Sequence, residues 1–254
     1  MKKYSILLLI IIFSVNVFAQ KDKKIKPSEK DTTASKDKNT GVISKTRTPL
    51  ELAKATVIAY GGDKFKNMKT LVVRGTADVS GSPAATFPAT FAMILSGDKY
   101  RLEVINSIQP FKQVYDGQQT SSSVNNFSLP PINRLGLPLL QRIEEKDFTV
   151  SALPEKSKKK NGFRVTAPEG FYTDFFIDEK TGLVKSYESE YEIRGRAITT
   201  SVEIDKVRDV EGVKIPERYA QRFDLGQLTI YANFKAKDIL VNSTVADDIF
   251  VIGN

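Results

Sequence analysis

FYTDFFIDEKTGLVKSYESEYEI, residues 171–193, decides the fold. Asp178 to Gly182 reads as a turn between two apolar-alternating runs. After it, Tyr187, Ser189, Tyr191 and Ile193 fall on odd positions, and Glu188, Glu190, Glu192 and Arg194 on even ones. A period of two with one apolar and one charged face is a half-buried antiparallel strand. The pattern runs on to Ala220. Asp209-Val-Glu-Gly-Val-Lys-Ile-Pro216 supplies a further turn, in which Gly212 is free to take a positive φ. Four strands in sequence, joined by short turns, form a meander.

Outward from this stretch the same code repeats. Leu71, Val73, Ala77 and Val79 share one face of a strand beginning at Thr70, and Arg74, Thr76 and Asp78 the other. Phe87, Ala89, Phe91, Met93 and Leu95 line the next strand. Ser96-Gly-Asp98 makes a tight hairpin, and Tyr100, Leu102 and Val104 return from it. Phe111–Tyr115, Phe148–Leu153, Phe163–Ala167 and Leu228–Phe234 are further strands; Gly81–Pro83 and Asp116-Gly117 are turns, residues 118–128 a polar loop and Lys156–Lys160 a solvated one. Thr48 as N-cap and Pro49 at N1 open a helix whose Leu50, Ala53, Val57 and Tyr60 make one apolar face, stopped by Gly61-Gly62. Asn242–Phe250 reads as a turn and a short closing segment. The expectation is a mainly β (α+β) protein: ten or eleven antiparallel strands in a strongly curved sheet, too many to stay flat, that forms a half-open β-barrel with an N-terminal helix.

One stretch breaks the alternation. In Leu129–Glu145, Leu135, Leu139, Leu140 and Ile143 fall on one helical face, and Pro138 is expected to divide the stretch into two short helical pieces. Such an insert either plugs the barrel as core or covers a lipid-sized cavity as a lid; periodicity leaves both open.

The ends read differently. Lys2 and Lys3, the apolar run Ile6–Phe13 and the small residue Ala19 predict a secretory signal peptide over 1–19, cleaved before Gln20, since the run is shorter than the ~20 residues a membrane span needs. No Cys follows the run, so the mature N-terminus carries no bacterial lipid anchor. Residues 20–47 hold nine Lys/Arg against four Asp/Glu and almost no large apolar side chain, which predicts a disordered basic linker, solvated or in weak contact with an anionic membrane. Of the net charge of +8, the first 19 residues contribute +2 and the linker +5, leaving the body, 48–254, near +1. The basic pI therefore points to no nucleic-acid surface.

Composition removes much chemistry. The 254 residues contain no His, no Cys and no Trp. Histidine triads, cysteine nucleophiles and His-rich zinc sites are excluded, and an exported chain without disulfides is held by its core, as suits a bacterial periplasm. No Gly-rich phosphate loop leads from a strand into a helix. Glu188, Glu190 and Glu192 share a strand face at a spacing of about 6.5–7 Å, within reach of paired-acid chemistry, but read as the solvent face of the sheet. No loop gathers oxygens for a cation.

Ala59-Tyr-Gly-Gly62, Val114-Tyr-Asp-Gly117, Ile177-Asp-Glu-Lys-Thr-Gly-Leu183, Val210-Glu-Gly-Val-Lys-Ile-Pro216 and the Asn242–Phe250 segment, in this order over residues 50–250, resemble the bacterial LolA/LolB-like lipoprotein-carrier superfamily, and within it the broad outer membrane lipoprotein-sorting group. The resemblance implies a half-open barrel with a helical lid that holds acyl chains of a lipid or lipoprotein, without catalysis or cofactor, and with envelope proteins as further partners. Strand alternation nominates the ligand-facing residues: Phe87, Phe91, Met93, Leu95, Leu102, Tyr187, Tyr191, Ile230 and Phe234, with Leu135, Leu139 and Leu140 from the insert. The alternative is an envelope interaction module whose barrel is filled by its own side chains.

Overall fold

The helix forms where its caps are written. In the computed structural model, α1 spans Pro49–Tyr60 behind a capping box in which the Thr48 N–H donates to Glu51 Oε2 (2.8 Å) and the Glu51 N–H to Thr48 Oγ1 (3.2 Å). Its buried face is Ala53, Thr56, Val57 and Tyr60; Leu50, expected on that face, is 41% exposed. The structure describes residues 47–251 except 82–84, 108–109, 126–127, 156, 158–160, 194–195, 225 and 227. The expected signal peptide, nearly all of the linker 20–47, the tip of the Gly81–Pro83 turn and most of the Lys156–Lys160 loop lie outside these residues. No helix among the described residues is long and apolar enough to cross a membrane.

A short helix, α2 (Asp63–Lys66), leads into the strands: β1 (Thr70–Gly81), β2 (Thr86–Ser96), β3 (Lys99–Asn106), β4 (Phe111–Tyr115), β5 (Thr120–Ser122), β6 (Thr149–Ser151), β7 (Gly162–Thr166), β8 (Tyr172–Ile177), β9 (Val184–Ile193), β10 (Arg196–Val210), β11 (Val213–Asp224) and β12 (Thr229–Val241). All twelve make one antiparallel sheet in the order β5-β4-β3-β2-β1-β12-β11-β10-β9-β8-β7-β6. The chain thus starts in the middle of the sheet, meanders to one edge, crosses to the other, and meanders back until β12 pairs β1. The sheet is not closed: β5 and β6 are its edges. The expected loop at 118–128 contains β5, whose Thr120 pairs Tyr115.

The meander 171–220 is β8 to β11 with its turns where local chemistry puts them. Asp178 Oδ1 accepts from the N–H groups of Lys180 (3.1 Å) and Thr181 (2.9 Å). At the β10–β11 turn Glu211 and Gly212 both have positive φ, 55° and 84°. On β9, Ser189 and Tyr191 are buried, Tyr187 half-buried, and Glu188, Glu190 and Glu192 exposed.

The main core lies where α1 meets the half of the sheet around β6, β7 and β11. Tyr60, Phe163, Val165, Phe175, Leu139 and Leu140 are fully buried there. Burying an apolar side chain of this size stabilises the fold by about 1.5–3 kcal/mol. A second, smaller cluster joins Val72 and Ile94 to Phe250 of the closing segment, a 3-10 turn at Asp247–Phe250.

Candidate ligand cavity

A segment that joins the two edges of one sheet must cross one of its faces, and this gives the insert its position. It is tied at its start by Gln113 on β4, which is fully buried. The Gln113 Nε2 group donates to the Leu129 carbonyl (2.9 Å) and to the Tyr100 hydroxyl (2.7 Å), and its Oε1 accepts from the Leu129 N–H (2.6 Å). Further along, Asn133 Nδ2 donates to the Asp98 carbonyl (2.6 Å) and Gln141 Nε2 to the Phe65 carbonyl at the end of α2 (2.7 Å). Glu144 receives Lys54 and Lys66, and Arg134 pairs with Glu169.

The insert is two 3-10 turns, Ile132–Arg134 and Leu137–Arg142, rather than α-helical pieces. The break falls at Gly136 (φ 65°, ψ −145°), and Pro138, expected to interrupt, instead sits in the first turn of the second piece. Leu139, Leu140 and Ile143 point into the core under α1. Leu129, Pro130, Ile132, Leu135, Leu137 and Pro138 line the space between the insert and the sheet, Leu137 also touching the core. One stretch therefore supplies both core and cavity wall.

Between this wall and the sheet lies a cavity of about 520 Å³, within the range of small-molecule sites, roughly 300–1,000 Å³. Leu102 on β3 and Val202 on β10 both line it. Those strands are five places apart in the sheet, which would separate them by about 24 Å if it were flat; sharing one cavity requires strong curvature. Of the twelve residues nominated from sequence, the structure brings together eight here: Phe91, Met93, Leu95, Leu102, Leu135, Tyr187, Ile230 and Phe234. Phe234 anchors the wall, edge-on to Phe91 (5.0 Å) and stacked on Tyr219 (4.8 Å). The other four do not line it. Leu139 and Leu140 are core, Tyr191 is buried away from it, and Phe87 shares the face of Phe91 but lies beyond the lined region of β2.

Five further residues that sequence did not nominate, Val73, Val104, Val202, Tyr219 and Phe223, also line the cavity, and alternation along their strands is the signal that carries them. The polar lining side chains are Asn106, Gln141, Thr200, Lys214 and Gln221. Gln221 Nε2 donates to Thr200 Oγ1 (3.0 Å), which donates on to the Arg222 carbonyl (3.0 Å), and Lys214 pairs with Asp209 at 3.1 Å. Burial pushes the phenols of Tyr187 and Tyr219 far above their ordinary pKa, so both stay protonated donors.

A larger open groove of about 1090 Å³ shares Ile204, Tyr219 and Phe234 with the cavity and is otherwise lined by Asp78, Glu203, Asp205, Arg218, Asn233 and Lys235 among others. These side chains are exposed and mixed in charge, as expected of a wet sheet face. The acids Glu188, Glu190 and Glu192 line neither space. Among the described residues no three His, Cys, Asp or Glu side chains gather as metal ligands.

No protein-family model matches the chain, and no curated protein sequence does. Among solved structures, a DUF1329 family protein from Desulfovibrio piger is 9% identical, with 81% of this chain and 98% of that one covered and a TM-score of 0.44. A LolA superfamily protein from Nitrosomonas europaea is 13% identical, with 82% of this chain and 99% of that one covered and a TM-score of 0.50. At that identity the likeness is one of architecture, and the open twelve-stranded sheet of this chain has a LolA-like fold.

Proposed function

We propose that this protein is an exported, periplasmic, non-catalytic carrier or binding protein for the acyl chains of a lipid or acylated lipoprotein. The observation that carries it is the cavity of about 520 Å³, walled almost wholly by apolar side chains from sheet and insert. Apolar surface held open to a small ligand is stabilised by taking up hydrocarbon, at about 25 cal/mol per Å² removed from water. The LolA-like architecture agrees with a carrier or binding role. Packing on the α1 side alone would suit an interaction module filled by its own side chains. The half of the sheet around Phe91, Leu102 and Ile230 is lined by the cavity instead, which favours the carrier.

The test is native mass spectrometry of the full chain purified from a bacterial periplasm, followed by solvent extraction. Mass increments matching fatty acyl lipids, released by solvent, are expected. A single apo mass, with no uptake on incubation with phospholipid vesicles, would overturn the proposal.

A further inference from the structure

Buried tyrosine hydroxyls normally find a partner, as Tyr100 does in Gln113. Tyr187 and Tyr219, both half-buried, line the cavity, and neither hydroxyl has a hydrogen-bond partner among the described residues. Both belong to the wall by register. Tyr187 pairs Val202 and Tyr219 pairs Ile204, so the two tyrosines flank β10 on its cavity side. Their backbones are about 10 Å apart across the sheet, and both side chains line the same cavity. Burial first and then the nearby Tyr187 phenol make the Tyr219 hydroxyl resist ionisation. Phe234 stacked on Tyr219 and Phe175, 6.0 Å from Tyr187, hold the rings. The remaining polar side chains deep in the wall, Thr200 and Gln221, are occupied with each other.

The geometry points to a paired hydrogen-bonding subsite: we propose that Tyr187 and Tyr219 bind the neutral carbonyl of an ester- or amide-linked acyl chain, within the carrier function proposed above. A carbonyl oxygen has two lone pairs and accepts from both hydroxyls. A carboxylate is the poorer guest, because the one charged side chain on the wall, Lys214, is already paired with Asp209, and a buried charge without a partner is costly. A bare hydrocarbon would leave both hydroxyls unserved.

The experiment is displacement of bound anilinonaphthalene sulfonate from the full chain by methyl dodecanoate, by tridecane and by dodecanoate, with wild type, Tyr187→Phe, Tyr219→Phe and the double variant. Wild type is expected to bind the ester tighter than the alkane or the anion. Each Phe substitution should weaken the ester by about two- to tenfold, the range of one neutral hydrogen bond, and leave tridecane unchanged. Unfolding midpoints should stay put, since neither hydroxyl is bonded to a described residue. Equal binding of ester and alkane, a preference that survives the double variant, or dodecanoate as the tightest of the three would overturn the subsite while leaving the carrier function standing. Failure of all three to displace the dye would overturn both.

Discussion

Gly136 meets the ring of Tyr187 with no room for a methyl group: a Cβ on Gly136 would lie 2.8 Å from Cε2, Cζ and Oη of that ring. The contact joins the insert to the sheet at the cavity wall, and Gly136 also donates its N–H to Thr173 Oγ1 (3.0 Å), itself 2.7 Å from Ser189 Oγ. The backbone there, φ 65° and ψ −145°, lies near a region that L-residues rarely enter. Gly136→Ala is therefore expected to destabilise the fold by about 2–4 kcal/mol, through backbone strain and overpacking together. Urea denaturation measures it. Adding Tyr187→Ala should recover the overpacking share and not the backbone share, a non-additivity that a double-mutant cycle reads.

Gln113 predicts a second weak point. Replacing it with Leu leaves the Leu129 N–H and carbonyl without their partner, and each buried unpaired group costs about 1–3 kcal/mol. Gln113→Leu should lower stability by roughly that amount per group. Amide exchange should show where: protection lost first at Leu129 and along 129–135, with β9 and β10 unaffected. Uniform loss of protection across the sheet would mean that Gln113 supports the whole fold rather than the insert.

These two contacts mark the boundary of what was legible in the residues themselves. The meander was legible because its determinants are local. Asp178 and Asp209 bond backbone N–H groups two or three residues away, and alternation on β9 needs only its neighbours. The insert was not, because Gly136 is defined by Tyr187, fifty-one positions on, and Leu129 by Gln113 on β4. A helical period put Leu139 and Leu140 on one face but left open whether that face was core or lid; core packing under α1 claims them. β5 is not legible in sequence because three polar residues carry no alternation, only a partner strand. Phe87 and Tyr191 show the same limit from another side: parity gives the face of a sheet, whereas depth along the strand decides what that face meets.

The cavity and the core make opposite predictions. Leu102→Trp fills space on the cavity wall, so acyl binding should fall at least about tenfold with unfolding shifted by no more than about 1 kcal/mol, because the ring enters open volume. Leu139→Ala removes fully buried core, so stability should fall by about 2–5 kcal/mol with binding kept at temperatures where the variant is folded. Calorimetric titration with methyl dodecanoate and urea melts of both variants check the pair. The reverse pattern would place the ligand under α1.

Glu217 on β11 sets an acid limit on the fold. It is buried to 8% exposure and bonded by Arg208 (3.1 Å) and Lys206 (3.0 Å), which hold its carboxyl down at about 2, well below the usual carboxylate range. The folded state thus binds this proton more weakly than the unfolded chain, where a glutamate titrates near 4.3. The stabilisation it brings is fully present above that unfolded value and is lost as the pH falls from about 4.5 towards 2. Glu217→Gln removes the charge at every pH. Urea midpoints of wild type and variant should therefore differ most at pH 6–7 and converge as the pH approaches 2. Parallel curves over the whole range would show that Arg208 and Lys206 do not hold Glu217 ionised in the folded state.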